Sequence, residues 1–196
     1  MFITIAITSA SVLTAATLAV FPEKTPVVPH PVEAPPAIEM DYVCKGCNLN
    51  ENLTLSFLQL RGIRDKAALA TVMGNIKQES KFIPNICEGG ARVSYTECKS
   101  GGYGLIQWTS INRYRGLGSF VSKYGGDPST LPTQLRYMVN EPQWTKYELY
   151  LKSENQSIDF YMTHAYKWLG WGIHGKRTTY SYQYYSQLTK PVSNVA

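Results

Sequence analysis

Six prolines and no glycine lie between Phe21 and Tyr42, and this stretch divides the chain before any other feature is read. Proline removes the backbone donor that a helix interior or a central strand needs, so the segment predicts an extended spacer rising about 3.1 Å per residue. His30 sits inside it and is read as solvated. Ahead of the spacer, Phe2–Phe21 carries no charge over twenty residues. In a helix that run spans about 30 Å, the thickness of a bilayer core. Six of its residues are Ser or Thr, and Thr17-Leu18-Ala19 resembles a small-residue cleavage site, so a cleaved signal peptide competes with an anchor. No basic residue precedes the run, which favours an uncleaved transmembrane anchor. The expected organisation is an anchor or signal segment at 1–21, a Pro-rich linker at 22–43 and one folded domain at 44–196. That last part is long enough for a single core and too short for two.

Charge is unevenly divided between these parts. Residues 1–43 hold one base and four acids, which leaves eighteen bases against ten acids in the remainder. A surplus of that size attracts polyanions. No zinc finger, no RNP-like strand and no Lys/Arg run accompanies it, so a nucleic-acid partner is not expected. The bacterial envelope is the other polyanion, and a merely soluble basic surface fits the charge as well.

The four cysteines form a Cys44-x-x-Cys47 pair and a Cys87…Cys98 pair. Two disulfides, Cys44–Cys47 and Cys87–Cys98, are one reading. A four-Cys zinc site is the other, although the second pair lacks the usual half-site spacing. Delivery to or across a membrane favours disulfides, and no cofactor or metal is expected.

The folded part reads as mostly helical. Asn52–Leu60 is a short amphipathic helix, and Asp65 is a good N-cap for a second at Lys66–Ser80. Leu69, Val72, Met73 and Ile76 place an apolar stripe on that second helix. Further helices are predicted at Leu131–Met138, Asp159–Leu169 and Thr178–Leu188, with Pro142, Gly170 and Gly175 as breaks. Residues 81–102 read as a long irregular loop or a small β-hairpin around Ala91–Tyr95. No βαβ alternation is present, so the expected class is mainly α, with a small β or irregular portion.

Glu79 is the acid to examine first. At about 100° per residue it lies roughly 70° from the centre of the apolar stripe, on the border of the buried face. Desolvation and the negative end of the helix dipole both raise the pKa of such a carboxyl. A glycosidase general acid needs that property, because it must hold its proton until a leaving oxygen arrives. By position alone, a Glu in a last helical turn is more commonly a solvated surface residue.

The surrounding residues point further. Gly74-Asn75-Ile76-Lys77-Gln78-Glu79-Ser80-Lys81-Phe82-Ile83-Pro84 is followed by Gly104-Leu105-Ile106-Gln107-Trp108 and by Asn112-Arg113-Tyr114-Arg115. This order resembles the lysozyme superfamily and within it the phage tail-type lysozymes. Goose-type lysozymes and lytic transglycosylases share the ES and GL-x-Q elements. The resemblance covers about residues 60–120 by motif and implies a lysozyme-like α+β fold. It also implies cleavage of the β-1,4 bond between N-acetylmuramic acid and N-acetylglucosamine, with Glu79 as general acid. The raised carboxyl of lysozyme is a precedent for that role and an analogy here. Gly104, Leu105 and Gln107 would lie beside the sugars, with Gln107 on an acetamido group or on the catalytic turn itself. Tyr103 and Trp108 would offer flat faces to sugar rings, or pack in the core. His164-Ala165-Tyr166-Lys167-Trp168-Leu169-Gly170 partly echoes a transglycosylase element and makes Tyr166 a cleft candidate.

A second carboxylate is harder to place. Glu97, beside Cys98, is the candidate, with Glu88 and the turn-like Asp127 as others. Hydrolysis needs a partner about 5–5.5 Å away for retention or about 6.5–9.5 Å for inversion, whereas a lytic transglycosylase needs none. Two other readings stand beside this one. A Cys/His amidase or endopeptidase would use Cys87 or Cys98 with His164 or His174. A non-catalytic glycan-binding module of a virion would keep the fold without the chemistry. The expected setting is a bacteriophage virion or lysis protein acting on peptidoglycan, contacting other virion proteins. It would be anchored through residues 2–21 in a virion or host inner membrane, its domain facing the periplasm and cell wall.

Overall fold

The structure, a computed structural model, describes residues 40–99 and 101–192. The uncharged run at 2–21 and the linker up to residue 39 lie outside these residues. Among the described residues no helix is long and apolar enough to cross a membrane.

The folded unit is built from seven helices: α1 (Leu49–Leu60), α2 (Lys66–Ser80), α3 (Ile111–Tyr124), α4 (Leu131–Asn140), α5 (Pro142–Leu151), α6 (Ile158–Leu169) and α7 (Arg177–Gln187). Two short strands close it, β1 (Val43–Cys44) and β2 (Leu188–Thr189), paired antiparallel with Val43 opposite Thr189. The mainly helical expectation holds. The predicted bounds of α2 hold as well, because Asp65 accepts the Ala68 amide at 2.9 Å and fixes its start. Residues 40–43, assigned to the linker by composition, belong to the folded unit. The Tyr42 backbone exchanges hydrogen bonds with the buried Gln59 side chain at 2.8 and 2.9 Å, and Asp41 pairs with Arg64 at 2.6 Å.

Three further details depart from the sequence reading. Pro142 does mark a helix boundary, but it also opens α5, a helix absent from the sequence reading: proline suits the first helical turn, where its missing N–H has no intrahelical partner. The α1 helix begins at Leu49, where Asn48 and Glu51 form a reciprocal capping box. The loop after α2 holds isolated bridges, Ile86 with Arg92 and Cys87 with Tyr103, and a 3-10 turn at Tyr95–Glu97 in place of a regular hairpin.

The α2 helix is more central than a single stripe predicts. Every residue from Ala67 to Ile76 is buried, including Thr71, Gly74 and Asn75. Its second face is small because α7 lies directly on it. A methyl group at Gly74 would sit 2.4 Å from the Ser181 backbone nitrogen. The motif glycine therefore sets how closely the two helices cross. Glu51 ties this packing together from α1, accepting from Lys77 Nζ at 2.6 Å and from the Tyr184 hydroxyl at 2.5 Å. The α2–α7 crossing brings the end of α2 beside the start of α7, and that junction frames the cleft.

Candidate active site

The carboxyl of Glu79 reaches the wall of a cleft of about 640 Å³, lined also by Ile106, Gln107, Thr109, Arg113, Trp171 and Arg177. Its position follows from how α2 stops. Lys81 and Phe82 both adopt left-handed backbone conformations, φ 53° and 62°, which turn the chain sharply after Ser80. Two successive non-glycine residues there are held by burial of the Phe82 side chain and by Ser80. The Ser80 hydroxyl accepts the Phe82 amide and donates to the Leu105 carbonyl at 2.7 Å. The Ser of ES thus joins the acid-bearing helix to the GL-x-Q turn.

That turn is itself fixed from beneath. Gly104 has φ +75°, and a Cβ there would meet the Gln134 amide at 2.6 Å. Gln134 is fully buried, accepts the Leu105 amide at 2.7 Å and donates to the carbonyls of Pro84 and Pro128. Gln107, at φ 50°, directs its Nε2 to the Gly104 and Ile86 carbonyls at 3.0 and 3.3 Å. Of the two roles open to it, the internal one is occupied, although the residue also lines the cleft.

Arg177, the first residue of α7, supplies the main electrostatic partner. Its guanidinium donates to Glu79 Oε1 and to the Ile173 and His174 carbonyls at 2.8 and 2.7 Å, and it stacks 4.6 Å above Trp171. The Glu79 side chain retains 14 % exposure and that of Arg177 only 5 %. Burial pushes the Glu79 carboxyl above its ordinary pKa, and the charges of Arg177 and Arg113 oppose that shift without cancelling it. The preceding residue anchors the same loop, since Gln78 accepts the Lys176 amide at 2.8 Å. A second buried network supports Arg113. Glu141 receives Arg113 through both carboxylate oxygens, at 2.7 and 2.8 Å, and the Trp108 indole N–H at 2.9 Å.

The other anticipated residues divide clearly. Tyr103, Leu105 and Trp108 are fully buried and belong to the core. Trp108 cannot present a face to a sugar, because its ring packs on Tyr137 and its N–H is committed to Glu141. Gly104 shapes the turn and does not line the cleft. Tyr166 is 53 % exposed and meets Trp171 edge-on at 5.2 Å, so it supports the cleft rim. Glu97 is corrected: it is exposed on the 3-10 turn, its carboxylate taken by the Ser94 amide and hydroxyl, and it does not line the cleft. Glu88 caps the Gly102 amide, and Asp127 caps a turn at Ser129. Among the described residues Glu79 is the one acid lining this cleft.

Cys44 is bonded to Cys47 and Cys87 to Cys98, so the cysteines form neither a zinc tetrad nor a thiol nucleophile. His164 stacks on Tyr150 and meets Phe160 edge-on, and His174 lies in the loop before α7 beside Thr178.

Sequence reasoning missed Arg177 and Trp171. The one available signal for Arg177 is its helix position, since a cation at a helix N-terminus opposes the macrodipole and calls for an anion elsewhere. Trp171 follows Gly170, whose left-handed φ of 69° ends α6 and turns the next residues into the cleft.

No curated protein and no solved structure matches the chain. A family does: residues 50–188, from the first turn of α1 to the first residue of β2, match phage tail lysozyme. The span takes in the Glu79 turn, the GL-x-Q loop and Arg177, and the chain belongs to that family.

Proposed function

We propose that this cleft cuts the β-1,4 bond between N-acetylmuramic acid and N-acetylglucosamine in peptidoglycan, with Glu79 as general acid. Membership of a lysozyme family points to peptidoglycan as the polymer. The observation that carries the catalytic assignment is a lone carboxyl, desolvated but still reachable, in the wall of an open cleft. Glu79 gives its proton to the departing 4-oxygen as the C1–O4 bond breaks. With no second carboxylate among the described cleft residues, the muramic 6-hydroxyl is the proposed nucleophile. Its oxygen bonds to C1 and its proton returns to Glu79, which restores the acid and leaves a 1,6-anhydro end. Trp171 is the proposed stacking face for a sugar ring, with Gln107, Thr109 and Arg113 around it. We propose further that residues 2–21 hold the domain at a membrane, facing the wall, in a phage particle or during lysis.

Mass spectrometry of digested sacculi tests the reading. Products one water lighter than reducing muropeptides are expected. Reducing ends would replace transglycosylation by hydrolysis, and intact sacculi would remove the catalytic assignment altogether.

The charge on Arg177 makes a separate prediction about pH. Because that cation holds the Glu79 pKa down, Arg177→Met leaves burial less opposed and raises it. The alkaline limb of kcat/KM is therefore expected to move to higher pH, since the acid stays protonated further up the scale. A limb that stays in place, in a variant whose melting curve is normal, would detach Arg177 from the acid.

A further inference from the structure

Away from the cleft, α5 and α6 enclose a second depression of about 540 Å³. Its floor is Tyr147 stacked on Trp168, with ring centroids 5.2 Å apart and planes 15° from parallel. Its wall is Tyr150 stacked on His164 at 3.5 Å. Lys146 and Lys167 stand exposed in its lining, and neither pairs with an acid among the described residues.

A second observation is independent of this shape. Of the six buried polar side-chain atoms that lack a hydrogen-bond partner among the described residues, four gather here: Trp144 Nε1, Tyr147 OH, His164 Nδ1 and Trp168 Nε1. Tyr147, His164 and Trp168 belong to the lining, and Trp144 packs edge-on behind the floor, 5.0 Å from Trp168. Buried polar atoms in folded proteins are nearly always paired. A cluster of unpaired ones around an open aromatic depression fits a ligand rich in hydroxyl and amide groups. The Tyr150 and His164 rings, which keep exposed surface, suit a sugar face, and the two lysines suit a carboxylate.

The depression shares no lining residue with the cleft but is tied to it along the chain at two places. Pro142 and Gln143 follow Glu141, which holds the cleft residue Arg113, and Trp168 precedes Leu169, which lines the cleft. We infer that the α5–α6 depression is a non-catalytic binding site for peptidoglycan, taking a sugar together with its carboxylate-bearing peptide. The inference rests on the muralytic reading for its choice of polymer. The site would hold the chain on the wall while the neighbouring cleft works.

Pelleting of the full chain with purified sacculi at low salt tests this, in a Glu79→Gln background so that the polymer survives. Lys146→Glu/Lys167→Glu is expected to weaken sacculus binding by about tenfold through like-charge repulsion. Glycan strands stripped of their peptides should show a much smaller difference. Lys45→Glu/Lys123→Glu, which changes net charge equally at a distance from the depression, should have little effect. Unchanged binding, an equal loss on stripped glycan, or an equal loss in the distant pair would each overturn the inference. If sacculi remain uncut by the wild-type chain while the binding differences persist, the muralytic reading falls and this site stands.

Discussion

Glu79→Gln is expected to reduce cleavage of sacculi by about 10²–10⁴-fold, the usual contribution of a positioned general acid. Glutamine keeps the shape of the side chain and has no proton to give at any accessible pH. The loss should therefore persist from acid to neutral conditions, whereas a variant that merely shifted a pKa would recover at one end. Binding is a different matter. The rest of the cleft wall, Gln107, Arg113 and Trp171 included, is left in place, so pelleting with sacculi should continue. The substitution does remove the partner of a nearly buried guanidinium. Arg177 keeps its two carbonyl acceptors and the Trp171 face, which limits the cost. Should the single variant melt early, Glu79→Gln/Arg177→Met removes both charges together and retains the test, because neither charge is then left buried without its partner. Wild-type turnover in a folded Gln variant would leave the non-catalytic glycan-binding module as the surviving account.

What the sequence conveyed about this site depended on how local each determinant was. The bounds of α2 follow from Asp65 and an apolar periodicity within fifteen residues, and both are visible without a fold. The border position of Glu79 follows from the same helix geometry. By contrast Arg177 stands 98 residues from Glu79 in the chain, and only the close α2–α7 crossing at Gly74 brings them together. The choice between Trp108 and Trp171 was equally hidden. Left-handed turns at Gly104 and Gln107 send Trp108 inward, while the one at Gly170 presents Trp171 to the cleft. Spacing along a strand or helix carries no information about such turns. Glu97 is a different case, because Ser94-Tyr95-Thr96-Glu97 already has the S-x-x-E form of a capping box. That signature assigns its carboxylate to the backbone, as the structure does. The linker boundary is another matter: set at 43, it runs past Pro36, the last proline of the spacer, and only the fold shows Tyr42 meeting the Gln59 amide.

The largest stability effect is expected at Glu141, which never touches the reacting atoms. Its carboxylate is buried, and it accepts both Arg113 nitrogens and the Trp108 indole. Glu141→Ala leaves a half-buried guanidinium and a buried N–H without acceptors, a type of change that costs about 3–5 kcal/mol. For a domain of this size the melting temperature should fall by roughly 6–20 °C, taking about 2–4 °C per kcal/mol. The alternative is that solvent reaches Arg113 readily enough to replace the carboxylate, in which case calorimetry would find a shift below about 1 kcal/mol, as for exposed pairs. A double-mutant cycle with Arg113→Met separates these cases. If the loss comes from the stranded cation, Arg113→Met/Glu141→Leu should recover much of what Glu141→Ala loses, since the apolar pair strands only the Trp108 N–H. The recovered protein should still cut slowly, because the same change takes Arg113 from the cleft beside Glu79. Stability and turnover would then part company in one variant, as they must if Glu141 acts only by holding Arg113 and Trp108 in place.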